Sequence, residues 1–408
     1  MSPSFHPASF RRLALSNFAA QAAEQLSLAA VPMLAVLRLD AGAAEIGLLG
    51  AAQTLPFLLL ALPLGVLADR MPRRRLMLAA EGLRAVALLG LLAAMAGGCL
   101  SLWAMALLGF LGAVGTVAFN VAAPGLVSVL VPRPSLPRAN AQVELARSAA
   151  FTAGPAAAGA LVAWWGADAA FVLAAMLSAG AAAWLLPVRE PRVTPAAGGA
   201  RHPLRELAAG ARFVWVDRLL RPVLLTALVW NLSWFVLQAA YVPHAVRSLG
   251  LDAQGVGLTL AAYGAGMVAG ALVAARVMGA LPLGRALQVG PLVSVLAIAL
   301  MLATLAVPSA PLAAASLFLF GGGPLVWIVG TTTLRQTVTP PELLGRVSAL
   351  FLTANAGARP IGALLGAAAG AAWGEAACLW LACAGFLLQA AIISPSGSVR
   401  QVRAAGPA

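Results

Sequence analysis

Three places in this chain put groups that could do chemistry where a charge is unfavourable. Glu24 lies about midway along an apolar run at 13–37, and Arg359 about midway along another at 346–370. Asp69 closes a third run, directly before Arg70 and a cluster of Arg73, Arg74 and Arg75. An ionisable side chain inside an apolar segment marks a functional position by default, because it must be paired, neutralised or turned to a polar path. Asn17, Gln21 and Glu24 are spaced i, i+4, i+7 and so share one helical stripe. A carboxyl group there could alternate between charged and neutral forms. A proton crossing about 100 mV yields roughly 2.3 kcal/mol, enough to bias two conformations. Glu24 could instead be permanently neutral or hydrogen-bonded and serve packing alone. Arg359 stands directly before Pro360, with Asn355 one turn earlier. It could bind an anionic group of a substrate, pair with Glu24 or Asp69, or snorkel and support the break at Pro360. Glu81 with Arg84 and Glu144 with Arg147 are i, i+3 pairs near cytoplasmic helix ends, and read as structural ion pairs.

Catalysis finds no support. No phosphate-binding loop is present, so ATP is not the expected energy source. His6, His202 and His244 stand apart at loops or span ends, and Cys99, Cys378 and Cys383 show no metal spacing. No catalytic residue, metal or cofactor is expected.

The elements that carry these residues follow from composition. Hydrophobic residues make up 62% of the 408 and charged residues 10%, too few to coat a water-soluble surface. Mean hydropathy is +0.93. The apolar stretches are long and rich in Ala, Leu and Gly, which predicts spanning helices rather than barrel strands. Spans fall near 13–37, 46–68, 75–97, 100–122, 140–164 and 167–187, and again near 222–245, 253–275, 284–307, 309–332, 346–370 and 372–394. The sequence thus predicts an all-α membrane protein of twelve transmembrane helices in two six-helix bundles, 1–187 and 222–408, joined by a linker at 188–221. Residues 203–219 within the linker have amphipathic spacing, either a helix at the membrane surface or an exposed linker helix. Phe10-Arg11-Arg12 resembles an export signal, but Glu24 interrupts the apolar region, so a retained first helix is expected over a cleaved one.

The net charge of +13 is carried entirely by Arg on the basic side. Its distribution argues against nucleic acid. One set of loops holds nearly all the interspan arginines, whereas the opposite set holds Arg38 and Arg247 alone. This places both termini and the linker in the cytoplasm. Pro132, Arg138, Trp165 and Gly166 recur as Pro340, Arg346, Trp373 and Gly374 at one offset of 208 residues. Repeated halves suit a carrier whose site lies between them and opens alternately to each side.

Gly65-Val66-Leu67-Ala68-Asp69-Arg70-Met71-Pro72-Arg73-Arg74-Arg75 resembles the loop signature of the major facilitator superfamily, departing from it at Met71-Pro72. Three further stretches are similar to the branch holding the enterobactin exporter and macrolide efflux proteins. They are Leu136–Ala141, Gly210–Trp215, and Arg335–Pro340 with Leu344–Val347. The resemblance implies a pseudo-symmetric twelve-helix fold, alternating access, and proton-coupled export of a drug-like or siderophore-like molecule from the bacterial inner membrane by a monomer. It implies a gate of Gly65, Asp69, Arg70, Arg73 and Arg74, with Asp69 meeting the start of span 11 or Arg346 in the outward-facing state. Asp69 capping its own loop is the alternative. It implies proton coupling at Glu24, eight residues before Pro32 as is common in the branch. It also implies a cavity lined by Gln21, Asn120, Asn231, Trp234, Gln238, Trp327 and Arg359, suited to a bulky amphipathic solute. Gly154-Pro155 partly matches a pattern of drug–proton antiporters. Lysophospholipid flipping or solute uptake is a second reading, and a receptor or scaffold of transporter shape a third. The expected partners are thus a small-molecule substrate, protons and the lipid bilayer.

Overall fold

A computed structural model describes residues 7–132, 135–190 and 203–394. All regular structure among them is helical. In order the helices are α1 (Pro7–Leu39), α2 (Ala43–Arg70), α3 (Arg73–Ala96), α4 (Leu102–Leu130), α5 (Leu136–Trp165), α6 (Ala167–Leu185), α7 (Pro203–Val216), α8 (Leu220–Arg247), α9 (Ala253–Ala280), α10 (Leu283–Ala303), α11 (Ala310–Val338) and α12 (Pro341–Ile393). Ten of these are long and apolar enough to cross a bilayer. α12 holds two spans, divided at Gly374, where φ is 79°. α5 has the length of a span, but Arg138, Glu144 and Arg147 dilute its first half. With α12 divided and α5 included, the described residues accommodate the twelve spans expected.

The chain divides into two compact units. The first is built on α1, most of α2, α3 to α6 and the opening turns of α9. The second takes the first turn of α2, then α7, α8, the rest of α9 and α10 to α12. The core of the first unit gathers Leu13, Met77, Phe119, Leu126 and Leu185 from α1, α3, α4 and α6. That of the second gathers Val214, Val223, Leu287, Leu334, Val347 and Ile393 from α7, α8, α10, α11 and α12.

The repeat is carried in backbone geometry. Gly166 (φ 84°, ψ 168°) and Gly374 (φ 79°, ψ −175°) adopt the same conformation, one that side chains disfavour. Each opens a helix whose first turn carries an acid. Arg38, at the end of α1, lies 3.9 Å from Asp168, and Arg247, at the end of α8, lies 2.7 Å from Glu375. The two interspan arginines on the sparsely charged side are therefore both partners of an acid near a helix N-terminus, where negative charge is favoured.

Spans in lipid approach each other through small residues. At Gly115 of α4 an added methyl would lie 2.6 Å from the Ala80 carbonyl of α3, whereas at Gly112, one turn earlier, it would meet nothing within 4 Å. Gly115→Ala is therefore expected to cost about 1–3 kcal/mol through overpacking. Gly112→Ala should be neutral or stabilising by up to about 1 kcal/mol, from helix propensity alone. Thermal unfolding of the two variants in detergent separates these outcomes.

Candidate functional site

The turn of α1 that carries Glu24 is fixed from three sides. Arg84 of α3 reaches it from within the bundle: Nη1 donates to the backbone carbonyl of Ala20 at 3.1 Å. In an α-helix that carbonyl also receives the backbone N–H of the residue four ahead, which here is Glu24. The same Nη1 donates to Glu81 Oε1 at 2.8 Å, and Nη2 donates to Thr116 Oγ1 of α4 at 2.8 Å. Ser178 of α6 donates to Glu81 Oε2 at 2.5 Å. Glu81 is 0% exposed and Arg84 4%. The pair is the structural ion pair that its spacing implies, but it stands in the interior of the first unit, bonding α3 to α1, α4 and α6. The other i, i+3 pair, Glu144 with Arg147, is the exposed one.

Next along α1, Gln21 Nε2 donates to Asn120 Oδ1 of α4 at 3.3 Å. On the far flank, Gly154 of α5 lets that helix close on Gln25, whose Cβ lies 2.5 Å from where a methyl would stand. Side chains lean toward the N-terminus of their helix, so Glu24, half-buried, leans over the Ala20–Gln21 turn. The Gly154-Pro155 element thus has a packing role beside Glu24.

The loop motif joins the end of α6 to the start of α3. The backbone N–H groups of Arg73 and Arg74 donate to Glu190 Oε1 and Oε2 at 3.0 and 2.9 Å. This satisfies donors at the start of α3 with a carboxylate suited to the helix dipole. Arg74 returns the contact, with Nε donating to the Leu185 carbonyl at 3.0 Å and Nη2 to that of Leu186 at 2.5 Å. The Arg73 side chain lies over Gly125 of α4. Gly65 is half-buried and Arg70 exposed, and the Asp69 side chain lies outside the described residues. In the second unit, Arg346 is half-buried at the start of α12, its carbonyl against Gly210 of α7.

Unit two presents its own polar pair. Asn231 Nδ2 of α8 donates to Asn355 Oδ1 of α12 at 3.5 Å, and Arg359 follows Asn355 by one turn. Each unit therefore has an amide–amide bond with a charge one turn beyond it, a carboxylate in the first and a guanidinium in the second. Gln238 and Trp327 are half-buried, and Trp327 rests on the core of this unit. Trp234 is 8% exposed, stacked with Trp230 at 5.6 Å and Tyr263 at 5.0 Å and tilted against Phe320 at 5.3 Å. Trp230 Nε1 donates to Ser294 Oγ at 3.1 Å, so the cluster has a satisfied polar edge.

Helices that cross a membrane many times, with amides and charges on facing spans within each unit, suit a multi-pass membrane transporter of small molecules. Residues 13–363 match the Major Facilitator Superfamily, and the chain belongs to that family of secondary transporters. No curated protein matches. Among solved structures, the chain is similar to a bacterial homologue of the iron transporter ferroportin in an inward-facing state (17% identity, TM-score 0.74, 96% of this chain and 98% of that one). A bacterial homologue of the human lysosomal transporter Spinster gives 14% identity and TM-score 0.74, over 98% of this chain and all of the other. The nucleoside transporter NupG gives 13% identity and TM-score 0.72, over 97% of this chain and 99% of that one. At these identities the likeness is one of fold.

Sequence reasoning missed Glu81, Arg84, Ser178 and Glu190 as positioning residues. Glu81 and Arg84 satisfy the criterion that singled out Glu24, a charge within an apolar run, but their spacing invited a local reading. Arg84→Gln leaves Glu81 buried without its guanidinium and is expected to cost about 3–5 kcal/mol, much of it recovered in Glu81→Leu/Arg84→Met, which removes both charges. Thermal unfolding of the single and double variants tests this. Glu190→Ala removes the α3 cap and is expected to cost about 1 kcal/mol in the same assay.

Proposed function

We propose that this transporter is a proton-driven exporter of a small amphipathic molecule, drug-like or siderophore-like, working by alternating access in the bacterial cytoplasmic membrane. In this reading it acts as a monomer, with bundles at 1–187 and 222–408, a linker at 188–221 and both termini in the cytoplasm. The observation that carries it is the setting of Glu24. A carboxyl group half-buried within a span sits on a turn fixed by Arg84, beside the Gln21–Asn120 bond. A group that must lose and regain a proton without unravelling its helix needs that kind of support. Its own charge changes while the backbone around it is tied to neighbouring helices.

The solute path is lined by Gln21, Asn120, Asn231, Trp234, Gln238, Trp327 and Arg359. Its few charges and several aromatic rings favour a bulky solute with apolar faces over a sugar. Arg359 supplies an anion contact or an internal counter-charge. Gly65, Asp69, Arg70, Arg73, Arg74 and Arg346 form the gate, and Arg73 and Arg74 carry its movement to α6 through Glu190. Export and the efflux branch are supported by the motif resemblance, and cytoplasmic termini by the placement of arginine.

Purified protein in proteoliposomes, given an imposed pH gradient and a panel of macrolides, siderophores and lysolipids, tests the proposal. Transport of a macrolide or siderophore is expected to follow the gradient and to collapse with an uncoupler. Glu24→Gln should lower gradient-driven flux by about tenfold or more, equivalent to roughly 1.4 kcal/mol of lost drive, while exchange without a gradient continues. A Glu24→Gln protein that transports at the wild-type rate and stays gradient-dependent removes Glu24 from the mechanism. Movement of lysolipids alone, indifferent to the gradient, replaces export with lipid flipping.

A further inference from the structure

One buried ionisable group has no part in the path proposed for solute and proton. His244 lies one turn before the end of α8 and is 1% exposed. An ionisable side chain within a span marks a functional position, and histidine is the one whose charge ordinarily changes near neutral pH. Its backbone is fixed at the helix end, where its carbonyl accepts the N–H groups of Ser248 at 2.9 Å and Leu249 at 3.1 Å.

The hydrogen bonds around the imidazole decide its tautomer. Nε2 lies 2.8 Å from Thr304 Oγ1, in the turn after α10. That hydroxyl donates its own hydrogen to the Met301 carbonyl at 2.5 Å. It can therefore only accept from the ring, so Nε2 carries the hydrogen and Nδ1 a lone pair. Nδ1 is buried, and no hydrogen-bonding group among the described residues reaches it. A proton placed there would turn an idle acceptor into a charged donor, which is costly to bury without an acceptor of its own.

The neighbouring charges supply one. Arg247 follows at i+3 on the same face of α8, and its Nη1 donates to Glu375 Oε1 of α12 at 2.7 Å. Glu375 is half-buried, and its charge acts on the imidazole. Other groups nearby are engaged or absent. Asp252 accepts from the Gly255 N–H at 2.8 Å, and Glu45 from the Gly42 N–H at 2.9 Å. Cys378 of α12 donates to the Gly366 carbonyl at 3.3 Å. Residues 286–334, which hold the turn after α10 and most of α11, contain no charged side chain.

We propose that His244 is a proton-operated latch. Neutral, it leaves Glu375 to Arg247; protonated at Nδ1, it competes for that carboxylate and loosens the tie between the end of α8 and the second span of α12. The change reaches a third element. A methyl at Gly42 would lie 3.3 Å from Arg247 Nη1 and 3.9 Å from Glu375 Oε1, so the turn before α2 rests on the same pair. The latch is independent of the role given to Glu24.

NMR of isotope-labelled histidine in the full-length protein tests the first step. His6→Gln/His202→Gln leaves His244 as the single histidine. At about pH 8 its ring is expected to show one protonated and one bare nitrogen, and at about pH 5 two protonated nitrogens. Thermal unfolding in detergent tests the second step. Arg247→Gln should lower the midpoint at about pH 8, and by less than half as much at about pH 5. In a His244→Gln background, whose amide can still donate to Thr304, Arg247→Gln should cost the same at both values. A ring that stays neutral across this range, or an Arg247→Gln effect indifferent to pH in the presence of His244, overturns the latch. A pH-dependent effect that survives in His244→Gln overturns it in favour of titration at Glu375 itself.

Discussion

The first unit is organised around a buried ion pair. Two ions withdrawn from water are stabilising only when geometry is good and the remaining hydrogen-bonding capacity is satisfied. Arg84 and Glu81 meet that condition by recruiting three other helices: a backbone carbonyl from α1, a hydroxyl from α4 and a hydroxyl from α6. The requirement runs in both directions. Because the pair must be satisfied, those helices are held in one register. The close approach of α3 to α4 at Gly115 is what brings Arg84 within reach of Thr116. The positions of Gln21 and Glu24 follow from that register, since both sit on the turn of α1 whose carbonyl Arg84 holds.

The two halves share a frame and differ in chemistry. Equivalent glycines turn the chain in the same way at 166 and 374, and equivalent arginines pair with equivalent acids beyond them. Exposed pairs of this kind contribute little energy, so their value lies in fixing where two helix ends meet. Inside that frame the first unit has a carboxylate next to an amide pair and a buried salt bridge behind it. The second has a guanidinium next to an amide pair and a cluster of rings behind it. Aromatic packing organises α8 through stacking and one indole hydrogen bond.

The spans, the repeat and the unusual position of Glu24 were legible because each is a property of residues close in sequence. Apolar length marks a span, and a constant offset reveals duplication. What could not be read is the partner of a side chain across the bundle. Glu190 looks like part of a polar linker, and only folding brings it to the start of α3 more than a hundred residues earlier. Trp234 packs against three other rings, one from its own helix and two from helices far along the chain, which its place on α8 does not reveal. The amphipathic spacing of α7 left open a helix at the membrane surface and an exposed linker helix; in the fold Val214 and Gly210 are covered by protein, while Val216 on the other side is left open.

The exclusive use of arginine acquires a physical meaning in the interior. Arg84 makes three hydrogen bonds from two nitrogens to three helical elements, α1, α4 and its own α3. Arg74 splits its guanidinium between two successive carbonyls at the end of α6. Both tasks need a planar fork whose donors have fixed divergence and whose charge persists on burial. A lysine ammonium could reach one partner in each place but not keep several at set angles.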